Sequence, residues 1–386
     1  MYLPEDVLLS EELKMVRRTI RKWVDEEILP LEQEVDERDE LWPELRERLL
    51  KRSKELGVWA LSVPTEYGGQ GMNVLGECVA AEAIGRASVP FWFFVDGGKP
   101  YLDLKFATPY QLDKFFLPQI RGEKFQCFCL TEPDAGSDTT AIKTYAVKKG
   151  NVWSINGMKS FASDGDIAGY LIVVARTDRQ TEAKKGTTIF LVERETPGIQ
   201  LIRVQRKMGH KGRNQVEFAF DDCRVPEENV YWKVNDGYRI ALGTLGHLRL
   251  VYAARVLGQI ERMLELSVDY AKRRVTFGKP IAARQAIQWM LVDMAVELFA
   301  GRAIVYGTAR EIDKGLADPV KESMTKLYVT EAVCRAADNA VQVFGGIGLM
   351  KDVPIERLYR DARFFRIPEG TSEMHKIVIA RALLRD

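Results

Sequence analysis

The chain has 386 residues, more than one hydrophobic core usually serves, so two or three domains are expected. Its 56 basic and 55 acidic residues nearly cancel, which gives no reason to expect nucleic acid or an anionic membrane surface as partner. Cys78, Cys127, Cys129, Cys223 and Cys334 form no zinc pattern, and His210, His247 and His375 lie far apart, so no metal site is expected.

The opening "MYLPEDVLLS" is acidic and lacks the basic start and long apolar core of a secretory signal. The longest apolar runs, such as "LIVVA" at 171–175, are too short to span a bilayer. A soluble, cytoplasmic protein with reduced, buried thiols is the expectation. On a strand, Cys127 and Cys129 would point to one face.

Residues 1 to about 125 read as a helical domain. Leu13, Val16, Ile20, Trp23 and Val24 follow amphipathic spacing. "PTEYGGQGMN" (64–73) interrupts the pattern and "VLGECVAAEAIGRAS" resumes it. Pro90, Pro100, Pro109 and Pro118 predict that the remaining helices here are short.

From about 126 to 232 the period changes to that of strands. "TYAVKKGNVWSING" holds two extended runs around Lys149–Gly150–Asn151, and "LIVVART", "TTIFLVE", "IQLIRV" and "VEFAFDDCRV" are rich in β-branched and aromatic residues. The turn spacing predicts a small antiparallel barrel or sandwich.

From about 233 to 386 the chain is helical again. Long helices are predicted near 238–273, 282–314 and 318–345, broken at "FGKP" (277–280) and "KGLADP" (314–319), with a short helix at the end; this predicts a four-helix bundle. Gly345, Gly346 and Gly348 in "FGGIGLMKD" have no preceding strand, so a dinucleotide-binding βαβ unit is rejected, while a close backbone approach to a ligand phosphate stays open.

"RIPEGTSEMHK" (366–376) places Glu369 between Pro368 and Gly370. Proline fixes one backbone angle and glycine frees the next, so the pair holds a bend. Met374, Ile377, Val378 and Arg381 then recur at helical spacing, with Thr371 or Ser372 as N-cap. Glu369 thus stands outside the helix on a stiff elbow; a solvated loop carboxylate is the plain alternative.

Five phrases in order resemble the acyl-CoA dehydrogenase family: "CLTEPDAGSD" (129–138), "GMKSFASDGDIAGYLIVVART" (157–177), "RRVTFGKPIAARQAIQ" (273–288), "QVFGGIGL" (342–349) and "RDARFFRIPEGTSEMHK" (360–376). The resemblance covers essentially the whole chain. It implies an N-terminal α domain, a middle β domain and a C-terminal four-helix bundle, usually as a homotetramer with one FAD per subunit. It implies that Glu369 removes the α-proton of an acyl-CoA thioester while FAD N5 takes the β-hydrogen as hydride, giving a trans-2-enoyl-CoA. Desolvation by substrate would raise such a carboxyl toward about 6–7, against the pull of the helix N-terminus. The enolate would be held by the Glu369 N–H and a ribityl hydroxyl.

Some members carry the base just before an arginine of the first bundle helix. Here Leu248 precedes Arg249, which leaves Glu369. By match, Arg249 and Gly370 lie at the substrate. Thr131, Ser137, Phe161 (often Trp) and Ser163 (often Thr) match flavin contacts; Thr371 and Glu373 also touch the cofactor. Arg274, Phe277 and Gln285 match residues that cross to a neighbouring subunit's FAD, and Gln342 and Gly346 its pyrophosphate contacts. Arg213, in "HKGRNQ" (210–215), replaces a commonly small residue; its strand is expected on the CoA or flavin side, bearing on acyl specificity or nucleotide contacts without touching the catalytic parts. The implied electron acceptor is an electron-transferring flavoprotein. Alternatives are an acyl-CoA or nitroalkane oxidase using O₂, though nitroalkane relatives carry Asp at the base position and acyl-CoA oxidases are longer. A DNA-binding flavoprotein relative is the third, disfavoured by the charge balance.

Overall fold

The computed structural model describes residues 9–385, without the side chain of Leu245. The acidic opening stretch, expected to carry no secretory signal, lies outside them except for its last two residues. Helix α1 (Glu11–Trp23) starts where the Ser10 hydroxyl accepts the Leu13 N–H at 3.3 Å, with Glu11 and Glu12 in its first turn and Arg21 and Lys22 in its last. Helices α2 (Glu32–Arg38), α3 (Pro43–Glu55) and α4 (Val74–Gly85) come next, and α4 is buried all round from Leu75 to Gly85. After it, Pro90 lies in the short piece Val89–Phe94, while Pro109 opens an unbroken helical run to Ile120 that holds a π turn at Leu112–Phe116 and takes Pro118 inside it.

The middle of the chain forms eight strands: β1 (Gln126–Cys129), β2 (Tyr145–Lys149), β3 (Val152–Ser163), β4 (Tyr170–Arg176), β5 (Thr187–Glu193), β6 (Ile199–Val204), β7 (Gln215–Pro226) and β8 (Val230–Tyr231). They join in the order β6-β7-β3-β2-β4-β5-β8, with β1 also on β4. The predicted antiparallel arrangement is corrected here: β1 runs parallel to β4, so the sheet is mixed. The β2–β3 hairpin between them supplies the crossover that parallel neighbours require. Strands β4 and β5 are apolar without alternation because both faces are covered. Tyr170, Ile172 and Val174 face Phe115 and Phe116 of the helical layer, while Leu171 and Val173 face Trp153, Ile155 and Phe218. Cys127 and Cys129 share that second face, unbridged, with Sγ atoms 3.8 Å apart.

Three long helices complete most of the remaining chain: α5 (Gly237–Arg273), α6 (Gln285–Asp313) and α7 (Pro319–Phe344). A two-stranded hairpin, β9 (Val275–Thr276) and β10 (Lys279–Pro280), separates the first two. Two shorter helices, α8 (Ile355–Phe364) and α9 (Ser372–Leu383), close the chain, and α8 has no counterpart among the helices predicted from the sequence. By length and mean hydropathy α5 would pass for a membrane-crossing helix, which the short apolar runs do not suggest. It carries Arg249, Arg255, Glu261 and Arg262 and packs against α4, α6 and α7 as the central helix of the bundle.

Helices α4 and α5 cross at glycines. A Cβ on Gly85 would stand 1.9 Å from the Arg255 carbonyl oxygen, and one on Gly258 2.2 Å from that of Glu82. Only glycine allows such backbone contact. Several charges buried near this seam are paired: Arg302 with Glu82 and Glu261, and Arg262 and Arg357 with Glu32.

Candidate active site

The elbow between α8 and α9 bends through two left-handed residues, Glu369 at φ 58° and Gly370 at φ 98°. A left-handed glutamate is strained and persists only where its surroundings dictate it. Here two cations from different helices grip consecutive carbonyls. Arg249 Nε on α5 donates to the Glu369 carbonyl at 2.9 Å, and Lys326 Nζ on α7 donates to that of Gly370 at 2.7 Å. Below them Glu331 accepts from Arg366 Nε at 2.8 Å and from the Ser372 hydroxyl at 2.6 Å. Thr371, of the two candidates, is the N-cap, its hydroxyl accepting the Met374 N–H at 3.3 Å.

With its carbonyl held, Glu369 keeps its other polar groups free. Among the described residues its N–H donates to no partner and its carboxyl accepts no hydrogen bond. The residue is half-buried in the cleft. Crowding of the carboxyl by protein raises its pKa above the ordinary carboxylate range, and Arg249, Lys326 and Arg213 pull it back. Three side-chain cations supply an opposing pull. Lys326 is itself fully buried, and desolvation lowers its ammonium to about 8.

Arg213, expected on the CoA or flavin side without touching the catalytic parts, grips Asp164 with Nε at 3.1 and 3.0 Å and Nη2 at 2.7 Å, and it acts on Glu369 through its charge. Asp164 directly follows Ser163, so the pair ties the end of β3 to the loop that carries Arg213. The two residues stand 49 positions apart in sequence, which hides the pairing from any local motif.

Gly97 and Gly98 make room not for a ligand but for Trp59. A Cβ on Gly97 would meet its ring at 2.6 Å and one on Gly98 its Nε1 at 2.7 Å.

The residues expected at the flavin fall into two groups. Thr131, Ser137, Phe161 and Ser163 lie together on the middle domain. The loop after β1 is pinned by buried Lys159, which donates to Glu132 at 2.8 Å and to the Leu130 carbonyl at 2.9 Å. The Thr131 carbonyl accepts the Ser160 N–H at 2.8 Å. The β3–β7 register shifts between Lys159 and Ala162, and in that bulge Phe161 takes φ 57° and turns outward, 61% exposed. Ser163 Oγ accepts from Gln215 Nε2 at 3.3 Å, which leaves its own O–H to donate. The neighbouring buried Gln215 Oε1 has no partner. An outward aromatic face, free hydroxyls and an orphaned acceptor fit a planar, polar-edged cofactor such as flavin.

Arg274, Phe277, Gln285, Gln342 and Gly346 form the second group, exposed and separate from the first. The β9–β10 hairpin that carries Arg274 and Phe277 sits beside the end of α7, where Tyr270 stacks on Phe344 at 4.3 Å and Ile281 packs on Val343. Phe277 is 96% exposed at φ 50°. Thr371 and Glu373 stay with the elbow at the start of α9. Lys326, Tyr101 and Tyr252 join the surroundings of Glu369 without any motif in the sequence.

Three family models match in chain order: the acyl-CoA dehydrogenase N-terminal domain at residues 10–123, the middle domain at 127–223 and the C-terminal domain at 235–384. The chain belongs to the acyl-CoA dehydrogenase family. An acyl-CoA dehydrogenase of Bacillus subtilis is 37% identical over 97% of this chain and 99% of that protein. The acryloyl-CoA reductase (NADH) of Anaerotignum propionicum is 36% identical over 98% of this chain and 96% of that one. A chain in a structure of the electron-transferring flavoprotein of Acidaminococcus fermentans superimposes with a TM-score of 0.92 at 34% identity, covering 99% of this chain and all of that one. As an acyl-CoA dehydrogenase family member the protein is an FAD-dependent oxidoreductase.

Proposed function

We propose that this acyl-CoA dehydrogenase converts an acyl-CoA thioester to its trans-2-enoyl-CoA with Glu369 as the base. The observation that carries the reading is the elbow: a strained, half-buried glutamate with a free carboxyl, fixed through its own carbonyl and that of Gly370 by Arg249 and Lys326. An α-proton beside a thioester is weakly acidic, so its removal calls for a base raised by desolvation yet still ionised near neutral pH. Burial raises Glu369 and the three cations keep its anion within reach. The free Glu369 N–H is placed to receive the thioester oxygen as negative charge builds there. FAD, when bound, supplies the acceptor for the hydride that leaves the β-carbon. Thr131, Ser137, Phe161 and Ser163 would hold its ring, with Thr371 and Glu373 beside it.

The exposed group, Arg274, Phe277 and Gln285 with Gln342 and Gly346, is assigned to the FAD of a neighbouring subunit in a homotetramer. An exposed apolar stripe on α6, Trp289, Val292, Val296 and Phe299 at helical spacing, supports burial between subunits. The likeness to a chain in an electron-transferring-flavoprotein structure supports such a protein as acceptor. The unbridged Cys127 and Cys129 support a cytoplasmic site.

The reductase relative favours a second reading, the same chemistry reversed, with Glu369 returning a proton to the α-carbon. Anaerobic mixing of FAD-loaded protein with straight-chain acyl-CoAs decides the class. Flavin bleaching with formation of enoyl-CoA is expected; no bleaching by any thioester would refute it. Peroxide at the turnover rate in air would replace the dehydrogenase with an oxidase.

A further inference from the structure

Arg249, Tyr252 and Arg255 succeed one another along one side of α5. Arg249 holds the elbow, and Arg255, six residues on, stands about 9 Å further along the helix axis. Tyr252 packs edge-on against Trp92 and Phe365, with ring centroids at 6.3 and 5.5 Å. Its buried hydroxyl has no partner, and neither has the buried Nε of Arg255. Among the described residues Arg255 makes no hydrogen bond and no ion pair.

By contrast Arg213, Arg262, Arg302 and Arg357, comparably enclosed, each hold a carboxylate, and Arg194, whose Nε is likewise unpartnered, lies over the Phe218 ring. An enclosed cation without a counter-ion is strongly disfavoured, so an unpaired one beside an unpartnered tyrosine hydroxyl points to a ligand. The nearest acids are already engaged. Glu77 holds Lys99 at 2.8 Å and His247 at 2.7 Å, and Asp96 accepts the Ser62 N–H at 2.9 Å and its hydroxyl at 2.5 Å.

The two tyrosines link this end of the helix to the base, since Tyr101 and Tyr252 both feel the charges of Glu369 and Arg255. Tyr101 packs edge-on against Phe128 at 6.2 Å, so the wall between is aromatic. The polar groups that line its far end, the Arg255 guanidinium and the Tyr252 and Tyr101 hydroxyls, can all donate. Their complement is a pure acceptor.

We infer that the acyl group of the substrate ends in a carboxylate, which Arg255 and Tyr252 receive at the end of the acyl site remote from the thioester. The inference rests on the acyl-CoA reading proposed for Glu369. The substrate class is the monothioester of a short dicarboxylic acid, and a reaction that activates such an acid to its CoA ester must supply it.

The test compares kcat/KM for glutaryl-, adipyl- and pimelyl-CoA with pentanoyl-, hexanoyl- and heptanoyl-CoA on the FAD-loaded protein. A hydrogen-bonded charge predicts that at least one carboxylated thioester exceeds its uncharged counterpart by about 10-fold or more. Arg255→Met should collapse that ratio chiefly through KM, and Arg255→Lys should restore part of it. An uncharged chain preferred at every length overturns the inference while leaving the dehydrogenase reading intact. Should Arg255→Met fail to fold, the wild-type ratio alone decides. Failure of every thioester to bleach the flavin overturns both.

Discussion

Lys326 is fully buried on α7, and its ammonium holds the Gly370 carbonyl one residue past the base. Burial lowers its pKa to about 8 while Glu369 raises it, and in return Lys326 favours the Glu369 carboxylate. Stability and activity respond to pH with opposite signs here. Because the folded pKa of Glu369 is raised, its stabilising protonation is fully present below the unfolded carboxylate pKa and is lost as pH rises through the folded value. Activity runs the other way, since the base works only when ionised. Lys326→Met removes a cation, so Glu369 should rise further and the acid limb of the rate–pH profile should move to higher pH. The rate should also fall about 10-fold as the elbow loses a donor. An unmoved acid limb would mean that the ammonium does not act on the base. The elbow itself was legible because Pro368 and Gly370 punctuate it and Thr371 caps the last helix. Lys326 was not, since a lysine between Ser323 and Thr330 reads as one more helix position until packing brings residue 326 beside 370.

Among the elements, the three long bundle helices were legible to within a few residues because their apolar period runs for many turns. Helix α8 was missed. Its buried Ile355, Leu358, Ala362 and Phe365 keep helical spacing, but over only three turns and between Pro354 and the elbow. Strand positions were legible from β-branched runs, whereas pairing was not. The parallel β1–β4 contact depends on which segment returns to which edge, and strand composition carries no such information. The bulge in β3 belongs to the same class. "KSFAS" reads as a plain strand, yet the register shift turns Phe161 out to φ 57° and makes it available to a cofactor.

On the scale of the whole molecule, the proposed flavin site is shared between chains: the elbow and the middle domain are its one half, and the exposed hairpin with the end of α7 is proposed to supply the other half to a neighbouring subunit. Arg274→Ala should therefore lower the FAD bound per chain, read from the flavin absorbance, or loosen the oligomer in sedimentation; a fully flavinated, intact oligomer would remove that role. Above all, the proposed chemistry turns on Glu369. Glu369→Gln, loaded with FAD and mixed anaerobically with an acyl-CoA that bleaches the parent protein, should bind the thioester yet reduce its flavin slower by about 10² to 10⁴-fold. Bleaching at the parent rate would contradict its role as the base.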